Sequence, residues 1–233
     1  METPIIPTCA YNEDVYEPAE DSFLMLDALE EDLEKWMSAT MNKNMERSDL
    51  LCLEVGCGSG IVSTALANFS VNSVRIIPHV FAVDVNPYAC LLTRETARVN
   101  NVETKIEPVL MDGVSSAFRS SIFDVIVCNP PYVPVLPEEK FDLSRTSGGN
   151  VLEKSWDGGP TGNSFIIPFL KTVPQYLSPS GALYLLLSSW NDPTNLMNTV
   201  AGPAGLEGVL VKYRHAGREK LSVWRLTYKK DSV

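Results

Sequence analysis

Asp49-Leu50-Leu51-Cys52-Leu53-Glu54-Val55-Gly56-Cys57-Gly58-Ser59-Gly60 is a short apolar run that ends in a glycine-rich turn. The next residues, 61–69, read as a helix. Strand, glycine loop and helix in that order open a sheet whose neighbouring strands run parallel. The pattern then repeats. Residues 80–85 (VFAVDV) form a second buried strand ending near Asp84, and 87–99 form a helix with Pro87 in its first turn. Residues 105–111 give a third strand running into Asp112-Gly113, and 123–128 (FDVIVC) a fourth that ends at Asn129-Pro130-Pro131-Tyr132. A fifth strand is expected over 182–188, after a turn at Ser178-Pro179-Ser180-Gly181. Helices are expected over 164–176 and 195–201, and residues 208–215 and 221–228 read as a closing hairpin. Strands that are continuous apolar runs imply a mainly parallel sheet covered on both faces, with the closing pair as an antiparallel edge.

Upstream, Phe23, Leu26, Leu29 and Leu33 recur at helical spacing after Pro18, so 23–36 is an amphipathic helix laid against the sheet. Residues 37–48 read as loop or frayed helix end. The expected organisation is one domain over 1–233: an irregular start (1–15), a helical segment (16–48) and a Rossmann-like core (49–228). The 133–163 stretch is a long polar loop, and loops of that length are usually functional.

The chain has 233 residues and a formal net charge of -10, with 45% hydrophobic and 21% charged residues. That is enough for one α/β core. The acidic balance disfavours a nucleic-acid partner, because such affinity rests on neutralising phosphates. Five cysteines in no C-x-x-C pair, with only His79 and His215 beside them, give no metal site. They read as reduced, mostly buried thiols of an intracellular protein. No signal peptide and no membrane span are expected.

The glycine spacing G-x-G-x-G differs from the dinucleotide fingerprint G-x-G-x-x-G. Glu54, just before the loop, is awkward for a pyrophosphate and suits a cationic ligand end. Asp84 at the end of the next strand is placed to accept from ribose hydroxyls, and Asp112 from an adenine amine. Either acid alone reads first as a helix N-cap. Three acids at the ends of three successive strands favour a ligand.

Asn129-Pro130-Pro131-Tyr132 carries the chemistry. Proline 131 leaves the Pro130 carbonyl as a free acceptor beside the Asn129 side-chain oxygen. Together they accept both hydrogens of an NH2 group, and Tyr132 stacks on its plane. An amide or aromatic amine is a poor nucleophile, so holding it with its lone pair on a sulfonium methyl is the main catalytic need.

These residues together resemble the HemK family of glutamine methyltransferases, in its short eukaryotic and archaeal branch. The resemblance rests on residues 15–23 (VYEPAEDSF), 54–60, Asp84-Val85-Asn86-Pro87, 129–132, and Gly217-Arg218-Glu219 before Leu221-Ser222-Val223. It implies a seven-stranded class I methyltransferase sheet with an antiparallel C-terminal strand, and S-adenosylmethionine as cofactor. It implies that Ser22, Glu54, Gly56, Gly58, Gly60, Asp84, Asp112 and Gly113 line the cofactor site. Asn129 borders cofactor and acceptor, with Pro130 and Tyr132 on the acceptor side. The implied substrate is the glutamine of a Gly-Gly-Gln motif in a class I release factor. The implied partner is a small zinc-ribbon activator, and the edge position expected for the third strand offers it a place. The expected location is the cytoplasm, with the nucleus as the alternative. Trp156-Asp157-Gly158-Gly159 matches a family segment, but Asp157 stands where a small residue is common, and the segment reads as loop structure. Competing readings are an adenine N6 or guanine N2 methyltransferase, a lysine methyltransferase, and a non-catalytic binding module.

Overall fold

The computed structural model describes residues 2–9, 12–40, 47–70, 75–114, 117–136, 152, 155–217 and 219–229. Seven strands form one sheet: β1 (Arg47–Val55), β2 (Arg75–Asp84), β3 (Ile106–Leu110), β4 (Phe123–Cys128), β5 (Leu177–Ser188), β6 (Leu206–Ala216) and β7 (Glu219–Tyr228). Their order across the sheet is β3-β2-β1-β4-β5-β7-β6. The first five are parallel to one another, and β7 is antiparallel to both β5 and β6. This is the Rossmann-like seven-stranded arrangement with one antiparallel C-terminal strand.

Consecutive residues of a strand point to opposite faces. In β4 and β5 they are buried in succession, Val125 to Cys128 and Ala182 to Ser188, so both faces of the sheet centre are covered. The apolar continuity of those runs is the sequence counterpart of that burial.

Helix α1 (Glu20–Thr40) buries Leu24, Met25, Ala28, Leu29, Leu33 and Met37, a stripe at three- and four-residue spacing. It lies against β5, β6 and β7. Its acidic face is tied down by the sheet's cations. Arg214 reaches Glu20 at 2.8 Å and Asp27 at 2.5 Å, Lys212 reaches Glu31 at 2.7 Å, and Arg225 pairs with Asp32. Helices α2 (Ile61–Ala67) and α3 (Pro87–Val99) follow β1 and β2, and α4 (Ile166–Thr172) precedes β5.

The closing hairpin makes the antiparallel edge expected of it: β7 inserts between β5 and β6, so the edges of the sheet are β3 and β6. Three expectations need correction. Ser178-Pro179-Ser180-Gly181 is not a turn but part of β5, where the register against β4 jumps from Phe123↔Leu177 to Val125↔Ala182. The extra residues bulge out of the ladder, and Pro179 is tolerated there for lack of a ladder hydrogen bond to make. Helix α1 continues through Met37 to Thr40, and β1 begins at Arg47. The helix expected over 195–201 starts at Pro193 as α5 (Pro193–Leu196) and finishes as a wider π turn. Most of the 133–163 loop, together with Arg218, falls outside the described residues.

The register places the site. Val55 of β1 is level with Val83 of β2 and Cys128 of β4. The next residues of each strand, Gly56, Asp84 and Asn129, therefore emerge side by side. Strand order reverses between β1 and β4, which is where ligands of open α/β sheets bind.

Candidate active site

The glycine loop is shaped by its backbone. Gly56 and Cys57 both donate to the Val83 carbonyl, at 2.9 and 3.0 Å, which folds the loop over the end of β2. Gly56, Gly58 and Gly60 have φ of +80°, +50° and +78°, in the left-handed region that side chains disfavour. A Cβ on Gly58 would meet nothing within 4 Å, whereas one on Gly60 would come within 2.7 Å of the Thr93 Cα in α3.

A cavity of about 630 Å³ opens above these strand ends. Ser22, Glu54, Gly56, Gly58, Asp84, Asp112, Gly113, Asn129, Pro130 and Tyr132 all line it, so ten of the eleven residues singled out by sequence meet in one place. Gly60 is the exception: it faces α3, and its need for glycine is a packing need.

Glu54 is buried, and the Ser63 hydroxyl donates to its carboxyl. Burial pushes its pKa up to about 8, against the pull of Ser63. A carboxyl so placed calls for a cationic group to ionise against. Asp84 accepts from the Gly58 backbone N–H at 3.0 Å and from that of Asn86 at 2.8 Å. Burial raises its pKa, and those two N–H groups oppose the rise. The N-cap reading of Asp84 fails, because Asn86 caps α3 by accepting from Tyr88 N–H at 2.9 Å. Asp112 is followed by a bend over Gly113 and Val114, so among the described residues no helix starts directly after it.

On the other side stands the tetrapeptide. Asn129 Oδ1 is buried, lines the cavity and has no hydrogen-bond partner among the described residues. No backbone N–H of the described residues donates to the Pro130 carbonyl. A buried acceptor left without a donor costs about 1–3 kcal/mol, so a donor from a ligand is called for. The Tyr132 ring is buried, and its hydroxyl points at the Asp21 carboxylate at 3.5 Å. Tyr16 donates to the same Asp21 oxygen at 3.1 Å. Burial, and then the charge of Asp21, raises both phenols, which stay neutral donors.

Sequence reasoning missed Tyr16 and Asp21 as cavity residues, although both lie in the 15–23 block from which only Ser22 was taken. It also missed Trp156, Asp157 and Phe165, which form a wall of the cavity. The Trp156–Gly159 segment is a loop, as read, and its Trp156 and Asp157 line the cavity. Its backbone pairs with the chain just after the tetrapeptide, Val133 N–H to the Trp156 carbonyl at 3.0 Å and Gly158 N–H to the Val133 carbonyl at 2.9 Å.

Comparison with known proteins agrees with this geometry. The sequence model of the methyltransferase small domain matches residues 35–142. Methyltransferase HEMK2 of Mus musculus is 38% identical over 97% of this chain and 99% of its own length. The eRF1 methyltransferase catalytic subunit mtq2 of Schizosaccharomyces pombe is 31% identical, covering 97% of this chain and 95% of its own. Among solved structures, a chain of the E. cuniculi Mtq2-Trm112 complex aligns over 93% of this chain and 99% of its own, with a TM-score of 0.63 and 23% identity. The sheet order and the cavity at its switch point are thus those of a class I methyltransferase. The chain belongs to the HEMK2 family of methyltransferases.

Proposed function

We propose that the chain methylates the side-chain nitrogen of the glutamine in a Gly-Gly-Gln motif of a class I release factor, with S-adenosylmethionine as donor. The observation that carries this is the buried, unpartnered Asn129 Oδ1 beside the open Pro130 carbonyl, two acceptors for one NH2 group. The relatives' names, an eRF1 methyltransferase among them, support the same acceptor.

The residues present fit the cofactor. Glu54 would hold its cationic amino group, and Asp84 its ribose hydroxyls. Asp112 and Gly113 would border the adenine, with Ser22, Gly56 and Gly58 along the chain between them. When bound, the cofactor supplies a methyl group on a positively charged sulfur. The protein's task is then to orient the acceptor. Asn129 and Pro130 take the two N–H groups of the incoming carboxamide, which turns the nitrogen lone pair toward the cofactor side. Tyr132 flanks the carboxamide plane. Asp21, behind the Tyr132 hydroxyl, puts negative charge on the side where positive charge arrives.

The proposal includes a small zinc-ribbon activator on the β3 edge. The Lys105 carbonyl accepts from Val80 N–H and Met111 N–H donates to the Asp84 carbonyl, so the odd-numbered residues of this strand turn their backbone toward β2. Ile106, Pro108 and Leu110 then turn theirs outward, and Pro108 loses nothing by lacking an N–H. Leu110 is 60% exposed and Val85 and Tyr88 beside it are also exposed, an apolar rim a partner strand could cover. The proposed location is the cytoplasm, where such a substrate works. A nucleic-acid acceptor is disfavoured: Arg214 is engaged by Glu20 and Asp27, and Lys220 sits over the Tyr213 ring at 3.9 Å.

The test is a labelled methyl-transfer assay with and without the activator, on a release factor, its Gln→Ala variant, DNA and RNA. Label on the unaltered factor alone supports the proposal. Label on nucleic acid and none on the factor overturns it.

A further inference from the structure

Asn191 lies in the 3-10 turn that follows β5 (Ser189–Asn191) and is 1% exposed. It does not line the cavity. Its side-chain oxygen accepts from Ser188 N–H at 2.8 Å. Its side-chain nitrogen donates to the Tyr132 carbonyl and to the Gly162 carbonyl, each at 3.0 Å. A buried carboxamide is costly unless its bonds are made, and here every polar atom is used. An apolar side chain would fill the space without that demand, so the bonds themselves need a reason.

The reason lies in what they join. The tetrapeptide leaves β4, which is clamped between β1 and β5. Its upstream end is therefore fixed by the sheet, and the two prolines fix the φ angles in its middle. Asn191 fixes the downstream end, at the Tyr132 carbonyl. With its second hydrogen it fixes the loop whose Trp156, Asp157 and Phe165 form the facing wall. The two segments are also zipped to each other, Val135 N–H donating to the Gly159 carbonyl at 2.9 Å. Gly162 shows how little slack exists. Its φ is +73°, and a Cβ there would come within 2.4 Å of the Tyr132 carbonyl oxygen and 2.7 Å of the Asn191 side-chain nitrogen.

We infer that Asn191 is a positioning residue for the acceptor: by holding the Tyr132 carbonyl and the Gly162 loop together it sets the width of the slot in which the substrate carboxamide lies. The inference rests on the methyl-transfer reading above. It distinguishes two halves of the site. The cofactor half is built by β1, β2 and β3, whereas the acceptor half is braced from β5 through Asn191.

Asn191→Asp keeps the size and the acceptor for Ser188 N–H, but turns a carboxylate oxygen toward the two carbonyls. Gly162→Ala leaves Asn191 itself unchanged but puts a Cβ against both the Tyr132 carbonyl oxygen and the Asn191 side-chain nitrogen, so it disturbs the same contact from the loop. Both would be made in the full chain with its activator. The readouts are kcat and KM for the release factor, cofactor Kd by calorimetry, and thermal unfolding. Misplacing a reacting group by ~1 Å costs about a hundredfold, so kcat should fall about ten- to a hundredfold in both variants while cofactor Kd stays within about twofold. Unchanged kcat in folded Asn191→Asp would overturn the inference, as would cofactor affinity falling in step with kcat. Failure of both variants to fold would assign Asn191 to the scaffold and overturn it equally. An inactive wild-type complex that still binds cofactor would instead overturn the substrate reading, and this inference with it.

Discussion

Replacing Glu54 by glutamine should stabilise the cofactor-free protein at alkaline pH while weakening its hold on the cofactor. The carboxyl is buried at the end of β1, and burial moves its pKa from 4.5 to about 8. A raised carboxyl pKa means that folding favours the protonated form. Stability is then fully present below the unfolded value and is lost as pH climbs through the folded one. At about 1.4 kcal/mol per pKa unit, the loss is about 3 kcal/mol at pH 7 and approaches about 5 kcal/mol above pH 8. Glutamine carries no such charge. In urea unfolding, the variant's advantage over wild type should therefore widen by about 3 kcal/mol between pH ~5.5 and ~8.5. A cofactor whose ammonium group pairs with ionised Glu54 should narrow the gap by stabilising wild type selectively. An advantage that stays constant with pH would refute the buried-acid reasoning. Unaltered cofactor affinity in the variant would refute the cationic-end assignment.

Asn129→Ala should abolish turnover and leave cofactor affinity near normal, measured by single-turnover assay and calorimetry; a matching loss of cofactor binding would contradict its acceptor role. Asp84→Ala should weaken cofactor binding about ten- to a hundredfold by calorimetry, since a ribose contact goes and the Gly58 and Asn86 N–H groups lose their acceptor. Leu110→Pro removes an outward N–H of β3 while sparing the pairing with β2; co-purification with the activator should fail, and intact co-purification would move the partner elsewhere.

The parts of the fold that were legible in the sequence are those where local chemistry and tertiary role agree. Pro87 and Asn86 mark the start of α3, and 87–99 is the helix found. Residues 123–128 form β4 as read, because an apolar run stops at two prolines. Ser178-Pro179-Ser180-Gly181 was misread because its composition is that of a turn. Its membership of β5 is decided by the partner strand, against which Gly181 packs so closely that a Cβ would lie 2.7 Å from the Phe123 carbonyl oxygen. The insertion of β7 between β5 and β6 is likewise a property of pairing, since the hairpin pattern does not say which of its two strands lies outermost. In the site, Glu54, Asp84 and Asn129 were legible because each ends a buried strand. Tyr16 and Asp21 were not, because their relation to Tyr132 spans more than a hundred residues and depends on how α1 docks. Asn191 carries no local signal at all beyond its place at the end of a capping turn.

The central claim is methyl transfer to a glutamine carboxamide held by Asn129 and Pro130. Its most direct test is mass spectrometry of a release factor after incubation with the chain, its activator and S-adenosylmethionine. The account predicts a single methyl group on the glutamine of the Gly-Gly-Gln peptide, absent when Asn129→Ala replaces the wild-type chain. A methyl group on any other residue, or an Asn129→Ala variant that methylates as well as wild type, would contradict it.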